Sequence, residues 1–190
     1  MKLNIIFYKK LLKKLLKKYI NFIIFKKKNL NQLIIYNNNN IYNILLFLKY
    51  NNFTQFKILN DICVIDYPYK KKRFEIIYNI LSIKYNLRFF LKTFLLNNYI
   101  QSISTLYLSA NWLERENWDL FGIFFFNHPD LRRILTDYGF VGHPFKKDFP
   151  INGYIELRFD EEKYSIVYEP IEIMQEYRLF NFLNPWENLL

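Results

Sequence analysis

Cysteine occurs once in the 190 residues, at position 63. An internal disulfide is therefore impossible, and an iron–sulfur cluster, which needs about four thiolates, cannot be held by this chain alone. Cys63 stands among apolar neighbours in "DICVID", a setting expected of a small core residue rather than a nucleophile. Glycine is almost as scarce: four residues, all between 122 and 153. Neither G-x-G-x-x-G nor a Walker loop can be written from them, which removes a self-contained nucleotide site. Acidic residues are missing altogether before Asp61. There are two histidines, His128 and His143, fifteen positions apart and each followed by proline. No H-E-x-x-H pair or facial triad can be drawn around them, so they read as hydrogen-bonding loop residues and not as metal ligands.

What the chain does contain is unevenly placed charge. Residues 1–100 carry 19 Lys/Arg against 3 Asp/Glu, and residues 101–190 carry 8 against 14. One end seeks anions, while the other suits neutral or basic surfaces. Lys, Asn, Ile, Phe and Tyr dominate, the residues of A/T-rich codons, which points to an organelle or other A/T-rich genome and weakens inference from basicity alone.

Residues 1–43 read as a basic, amphipathic N-terminal extension. In "MKLNIIFYKKLLKKLLKKYINFIIFKKK" paired leucines alternate with paired lysines, giving a helix one apolar and one cationic stripe. Its apolar runs, such as "FIIF" at 22–25, fall far short of the roughly 20 residues that span a bilayer. An acidic neighbouring subunit or anionic lipid is the expected contact of residues 1–28. After "NNNN" at 37–40, a short helix is expected over 41–50. From Ile58 to Thr93 alternating apolar and polar residues predict three antiparallel strands, the lysines at 70–72 forming a charged turn. With the helix they make an α+β domain, a small antiparallel or mixed sheet with flanking helices, over 44–150.

"SANWLERENWDLFG" predicts a second helix with Ser109 as N-cap, placing Glu114 and Glu116 in the first two turns, where the helix dipole favours them. A shorter helix is expected to start at "HPDLRRIL", with Pro129 in its first position and Gly139 past its end. Residues 151–190 form a hairpin, over 154–168 with "DEEK" as its turn, and an extended C-terminal arm. The arm's Tyr177, Phe180, Phe182 and Trp186 have no regular period and look like interface anchors.

Glu114, Glu116 and Asp119 lie close enough in sequence for acid–base work, but Arg115 and Asp119 are also i,i+4 neighbours, an ordinary helical ion pair. Arg132 and Arg133 follow Asp130; one is expected to pair locally while the other faces outward toward a partner's carboxylate. Trp112 and Trp118 fall on different sides of a helix, so at least one belongs to the core. The basic half with its interleaved aromatics keeps an organellar RNA-binding or ribosomal protein as the alternative. No RNP motif, zinc finger or GXXG loop supports it, and the residue chemistry itself supplies no catalyst.

"SANWLERENWDLFGIFFFNHPDLRRILTDYGFVGHPFKKDFP" resembles the signature region of the 30-kDa subunit of respiratory NADH dehydrogenase, complex I. The resemblance extends over roughly 44–190, through "GYIELRFDEEKYSIVYEPIEIMQEYRLFNFLNPWE", and its run to "PWE" looks mitochondrial or proteobacterial. It implies a cofactor-free structural subunit of the peripheral arm, on the matrix side of the mitochondrial inner membrane and mitochondrially encoded. Such a subunit supports the hydrogenase-large-subunit-like, quinone-site neighbour, while flavin, clusters and quinone belong to other subunits, and no nucleic acid is expected. The family's motif residues correspond to Glu114, Arg115, Glu116, Asp119, Gly122, His128, Pro129, Asp130, Arg132 and Arg133, continuing through Gly139, Gly142, His143, Pro144, Lys147 and Asp148. With the arm's aromatics, the charged members of this set are the expected interface. Asn117 departs from the pattern, which has an apolar residue there.

Overall fold

The computed structural model describes residues 41–172 and 180, with the backbone of 23–25 and 32–35. Two compact units meet in sequence at Phe149 and Pro150. In the first, a five-stranded sheet is built from β1 (Ile23–Phe25), β2 (Gln32–Ile35), β3 (Ile58–Asp66), β4 (Phe74–Ser82) and β5 (Leu87–Phe94), in the order β1-β2-β5-β4-β3. All neighbours are antiparallel except β2 and β5. Strands β3, β4 and β5, joined antiparallel in succession, are those the alternation predicts. Strands β1 and β2 are a correction, because they come from the segment read as an amphipathic extension. Ile23–Phe25 is strand where a helical stripe was expected, and the boundary at 43/44 cuts through a helix. The rest of the proposed arm at 1–28 lies outside the described residues.

That helix, α1 (Ile41–Tyr50), buries Ile41, Ile44, Leu45 and Leu48, the i, i+3, i+4, i+7 stripe of one helical face. It shares a core with one face of the sheet. Ile76, Tyr78 and Ile80 of β4 lie opposite Thr93, Leu91 and Phe89 of β5, all buried, because directly paired residues fall on the same face. Phe56 closes the core against Phe89, ring centroids 5.7 Å apart. Cys63 is not part of it: the strand's alternation turns Ile62 inward and leaves Cys63 exposed, its thiol donating to Asp61.

Beyond the sheet, β6 (Tyr99–Gln101), α2 (Ala110–Phe121) and β7 (Phe124–Phe126) form a small parallel β-α-β unit, since parallel strands need a crossover. Strand β3 is the terminal strand of the large sheet, and α2 is fastened to its edge. The Ser109 hydroxyl donates to the Leu59 carbonyl at 3.1 Å and the Asn117 amide to that of Ile62 at 3.0 Å. These bonds occupy acceptors that would otherwise invite another strand. Ser109 thus stands at the expected N-terminus of the helix but makes no side-chain cap, its own backbone being helical. The second unit contributes an antiparallel hairpin, β8 (Ile155–Asp160) and β9 (Ser165–Pro170), where the sequence places it.

Candidate functional site

Helix α2 turns its side chains in three directions. Ala110, Glu114 and Asn117 face the body of the domain, Asn111, Arg115 and Asp119 face the following loop, and Trp112 lies exposed. The i, i+4, i+8 spacing of the middle set is one helical stripe.

Asp119 organises the loop. One carboxylate oxygen accepts the backbone N–H groups of Ile134, Leu135 and Thr136 at 3.2, 2.9 and 2.9 Å. The other accepts the Thr136 hydroxyl at 2.6 Å and the Arg133 guanidinium at 2.7 Å. Burial pushes this carboxyl up, yet the bonds from Thr136, Leu135 and Arg133 outweigh it and hold the pKa at about 2. Here is the reason the helix expected from Pro129 does not form. A helix would send those N–H groups to carbonyls four residues back; a buried carboxylate takes them instead, and 127–138 is turn and coil. Arg115, expected to pair with Asp119, donates to the Arg132 carbonyl at 3.1 Å. Arg133 takes Asp119 and reaches the Gly142 carbonyl at 2.9 Å, its guanidinium over the rings of Trp118 and Phe140. Arg132, at the surface, pairs with Asp130 at 2.8 Å, so both arginines bond within the chain where one was expected to face outward toward a partner's carboxylate.

The histidines are spent on backbone. His128 Nδ1 accepts the Asp130 N–H, so its proton sits on Nε2, which donates to the Asn111 carbonyl at 3.2 Å. His143 Nδ1 donates to the Asp119 carbonyl at 2.9 Å; burial, followed by the charges of Lys146 and Arg133, holds its pKa down. Gly122 ends α2 at φ +73°, and a Cβ there would meet the His143 ring at 2.6 Å. Glycine is thus required both for the left-handed turn and for the ring's approach.

Glu114 faces the other way, fully buried. It accepts the Ser102 hydroxyl at 2.5 Å and the Ile103 N–H at 2.7 Å, and His128 Nε2 lies 3.8 Å away. Burial raises its pKa to about 7 against the lowering effect of those two bonds. The helix dipole has little part in its placement, since no acidic residue lies in the first turn. Glu114 and Asp119 point to different partners and form no acid–base dyad, while Glu116 lies half-exposed between them. Among the described residues no group of three or more His, Cys, Asp or Glu could hold a metal ion.

A second anchor was missed in the sequence. Arg73 grips Asp66 through two bonds of 2.7 and 2.8 Å and Asp148 through two of 2.7 and 3.1 Å. Asp66 also accepts the Lys147 N–H at 2.9 Å; the bonds from Arg73 chiefly hold its pKa down. The available signal was Arg73 itself, an arginine ending a run of lysines, because a guanidinium fork, unlike an ammonium, can make paired bonds to each of two carboxylates. Thus Glu114, Asp119 and His128, expected at an interface, are internal; Lys147 acts through its backbone; and Asp148 pins the loop to β3 and β4. Tyr177, Phe182 and Trp186 lie outside the described residues, and Phe180 is exposed. Beside charged groups such as Asp130 and Arg132, the pinned loop turns apolar side chains outward: Leu135, Tyr138, Val141 and Phe145 are all more than half exposed, Tyr138 at 96 %.

The model of the family described as "Respiratory-chain NADH dehydrogenase, 30 Kd subunit" matches residues 34–155, a span holding the whole charged frame. The chain belongs to that family. It is 58% identical over 185 residues to NADH-ubiquinone oxidoreductase subunit 9 of Acanthamoeba castellanii, covering 97% of this chain and 94% of that one. The subunit 9 of Reclinomonas americana is 49% identical over 177 residues, 93% of this chain and 86% of the relative. NADH dehydrogenase [ubiquinone] iron-sulfur protein 3 of Beta trigyna is 53% identical over 152 residues, 80% and 79% of the two chains. A solved trypsin-resistant fragment (1-134) of Nqo5 superposes with TM-score 0.55 at 26% identity, covering 65% of this chain and 98% of the fragment. A chain of the membrane-bound sulfane sulfur reductase, an archaeal respiratory membrane complex, shares the fold, with TM-score 0.62 at 22% identity over 76% and 86% of the chains. The family match begins within β2, which fits that strand's place in the large sheet.

Proposed function

We propose that this chain is a cofactor-free structural subunit of the peripheral arm of NADH:ubiquinone oxidoreductase, seated against the quinone-site subunit on the matrix side of the mitochondrial inner membrane. Electrons pass from NADH to ubiquinone through its neighbours, and this chain holds the quinone-reducing module in place. The observation that carries this reading is the division of labour in the 111–149 segment. Its buried Asp119 and half-buried Arg133 bond to their own loop, which in turn presents Leu135, Tyr138, Val141 and Phe145 to the outside. Exposed apolar groups on a rigidly pinned loop suit a surface covered in assembly. Rigidity matters because a site built across subunits tolerates little looseness.

RNA binding through the basic half gains no support. Phe56, Phe74, Tyr78 and Phe89 are buried in the core and cannot stack on bases. On a native gel the tagged chain is expected to co-migrate with NADH dehydrogenase activity. Migration as a free protein, or with RNA in a salt-sensitive particle, contradicts the assignment.

A further inference from the structure

Glu114 and His128 meet inside the first unit, their side chains closed to solvent. The His128 Nε2–H stands between two acceptors. It bonds to the Asn111 carbonyl at 3.2 Å, and Glu114 Oε2 lies 3.8 Å away, beyond hydrogen-bond length. A second proton on the ring would displace the Asp130 N–H, which the Nδ1 lone pair accepts at 3.1 Å. The ring therefore answers a new charge at Glu114 by redirecting the proton it already holds.

The groups packed around the carboxyl show why the second acceptor matters. The 102–104 segment supplies the Ser102 hydroxyl and the Ile103 N–H. Ser102 in turn accepts the Ser104 N–H at 3.2 Å and lies 2.9 Å from the Ser104 hydroxyl. From β4, the fully buried Tyr78 hydroxyl feels the Glu114 charge and has no hydrogen-bond partner among the described residues. Two donors suit a carboxylic acid, but a carboxylate has about four lone-pair sites, and those left empty in a buried setting are costly. Burial places the Glu114 titration at about 7, so both forms occur near neutral pH.

We propose that Glu114 and His128 form a proton-driven latch: while Glu114 is protonated the His128 Nε2–H holds the Asn111 carbonyl, and when Glu114 ionises the same N–H moves to the carboxylate. One proton leaves Glu114 for solvent, and His128 keeps its own. A neutral bond is exchanged for a charge-assisted one about 1 Å shorter than the present separation. The bond from the Asp130 N–H to Nδ1 slackens as the ring turns, so pH resets a contact at the root of the 127–138 loop.

The test is nitrogen-resolved NMR of both histidine rings in the full chain between about pH 5.5 and 8.5. The His128 Nε2–H proton is expected to move downfield by about 1 ppm or more, in a step centred near 7, as its bond becomes charge-assisted. Exchange of the Asp130 N–H with solvent is expected to quicken several-fold across the same step. Glu114→Gln should hold both signals in their acid form, and Tyr78→Phe should leave the step in place. An Nε2–H that stays put while the Glu114 carboxyl carbon titrates overturns the latch, as does a carboxyl that does not titrate in this window. A step that survives in Glu114→Gln, or a ring that takes up a second proton across it, also overturns the latch. Loss of the step in Tyr78→Phe gives the role to the tyrosine hydroxyl instead. Should Glu114→Gln fail to fold, the parent decides: carboxyl and ring must change together, and separate midpoints contradict the coupling.

Discussion

Glu114 and Asp119 are two carboxylates of one helix that respond to pH in opposite directions. Asp119 is held at about 2, below its ordinary value, so the stability it contributes is present above about pH 4 and is lost as pH falls toward 2. Glu114 is raised to about 7, so its contribution is complete below about pH 4.5 and is lost as pH rises through 7. The Glu114 effect is on the order of 3 kcal/mol across that window. Glu114→Gln retains an acceptor and a polar group near Ser102 and Ile103 but does not ionise. Urea denaturation between pH 5.5 and 8.5 should show the parent losing stability with pH relative to the variant; parallel curves refute the assignment. Asp119→Asn leaves part of the cage facing an amide donor. It is expected to cost about 2 kcal/mol or more at neutral pH, a loss that shrinks in acid as the parent's carboxylate protonates.

At the scale of elements, the junction of α2 with its loop is the vulnerable point. Gly122→Ala places a Cβ in a left-handed turn and against the His143 ring, and should cost about 2–3 kcal/mol, while Gly139→Ala meets only the strain of its own turn. Comparable losses in the two variants would show that the His143 contact carries no weight. The elements with a clear period were legible in the sequence. The four buried residues of α1, the alternation of β3 to β5 and the hairpin at 155–170 were all visible in the apolar pattern. What failed was local reading of 129–138, where Pro129, Asp130 and Gly139 satisfy every rule for a helix and Asp119, a residue on another element, overrides them. The Arg73 anchor was only half legible: an arginine after three lysines is a signal, but its partner Asp148 lies 75 positions away. Asn117 looked like a misfit for tight packing; its amide is satisfied twice, by the Ile62 and Leu113 carbonyls. Glu114, Asp119 and His128 were expected at an interface and are internal, because burial decides whether a charge faces inward or toward a neighbour, and burial is a property of the fold.

For the molecule as a whole, the proposed role of the charged motif is to shape a surface that is covered in assembly. Arg133 is the joint of that construction: it spans Asp119, the Gly142 carbonyl and two aromatic rings, and it lies behind the exposed tip at Tyr138 and Val141. Removing residues 171–190, which hold the arm's aromatics, should likewise lower the amount of complex, checked by native gel, without changing the fold of the first unit. The most direct measurement is a paired one on Arg133→Ala: the abundance of assembled complex, and quinone reduction per assembled complex. Abundance is expected to fall several-fold, as a loss of one or two kcal/mol does for a subunit dependent on assembly, with turnover per complex nearly unchanged. Normal abundance with abolished quinone reduction would contradict the account.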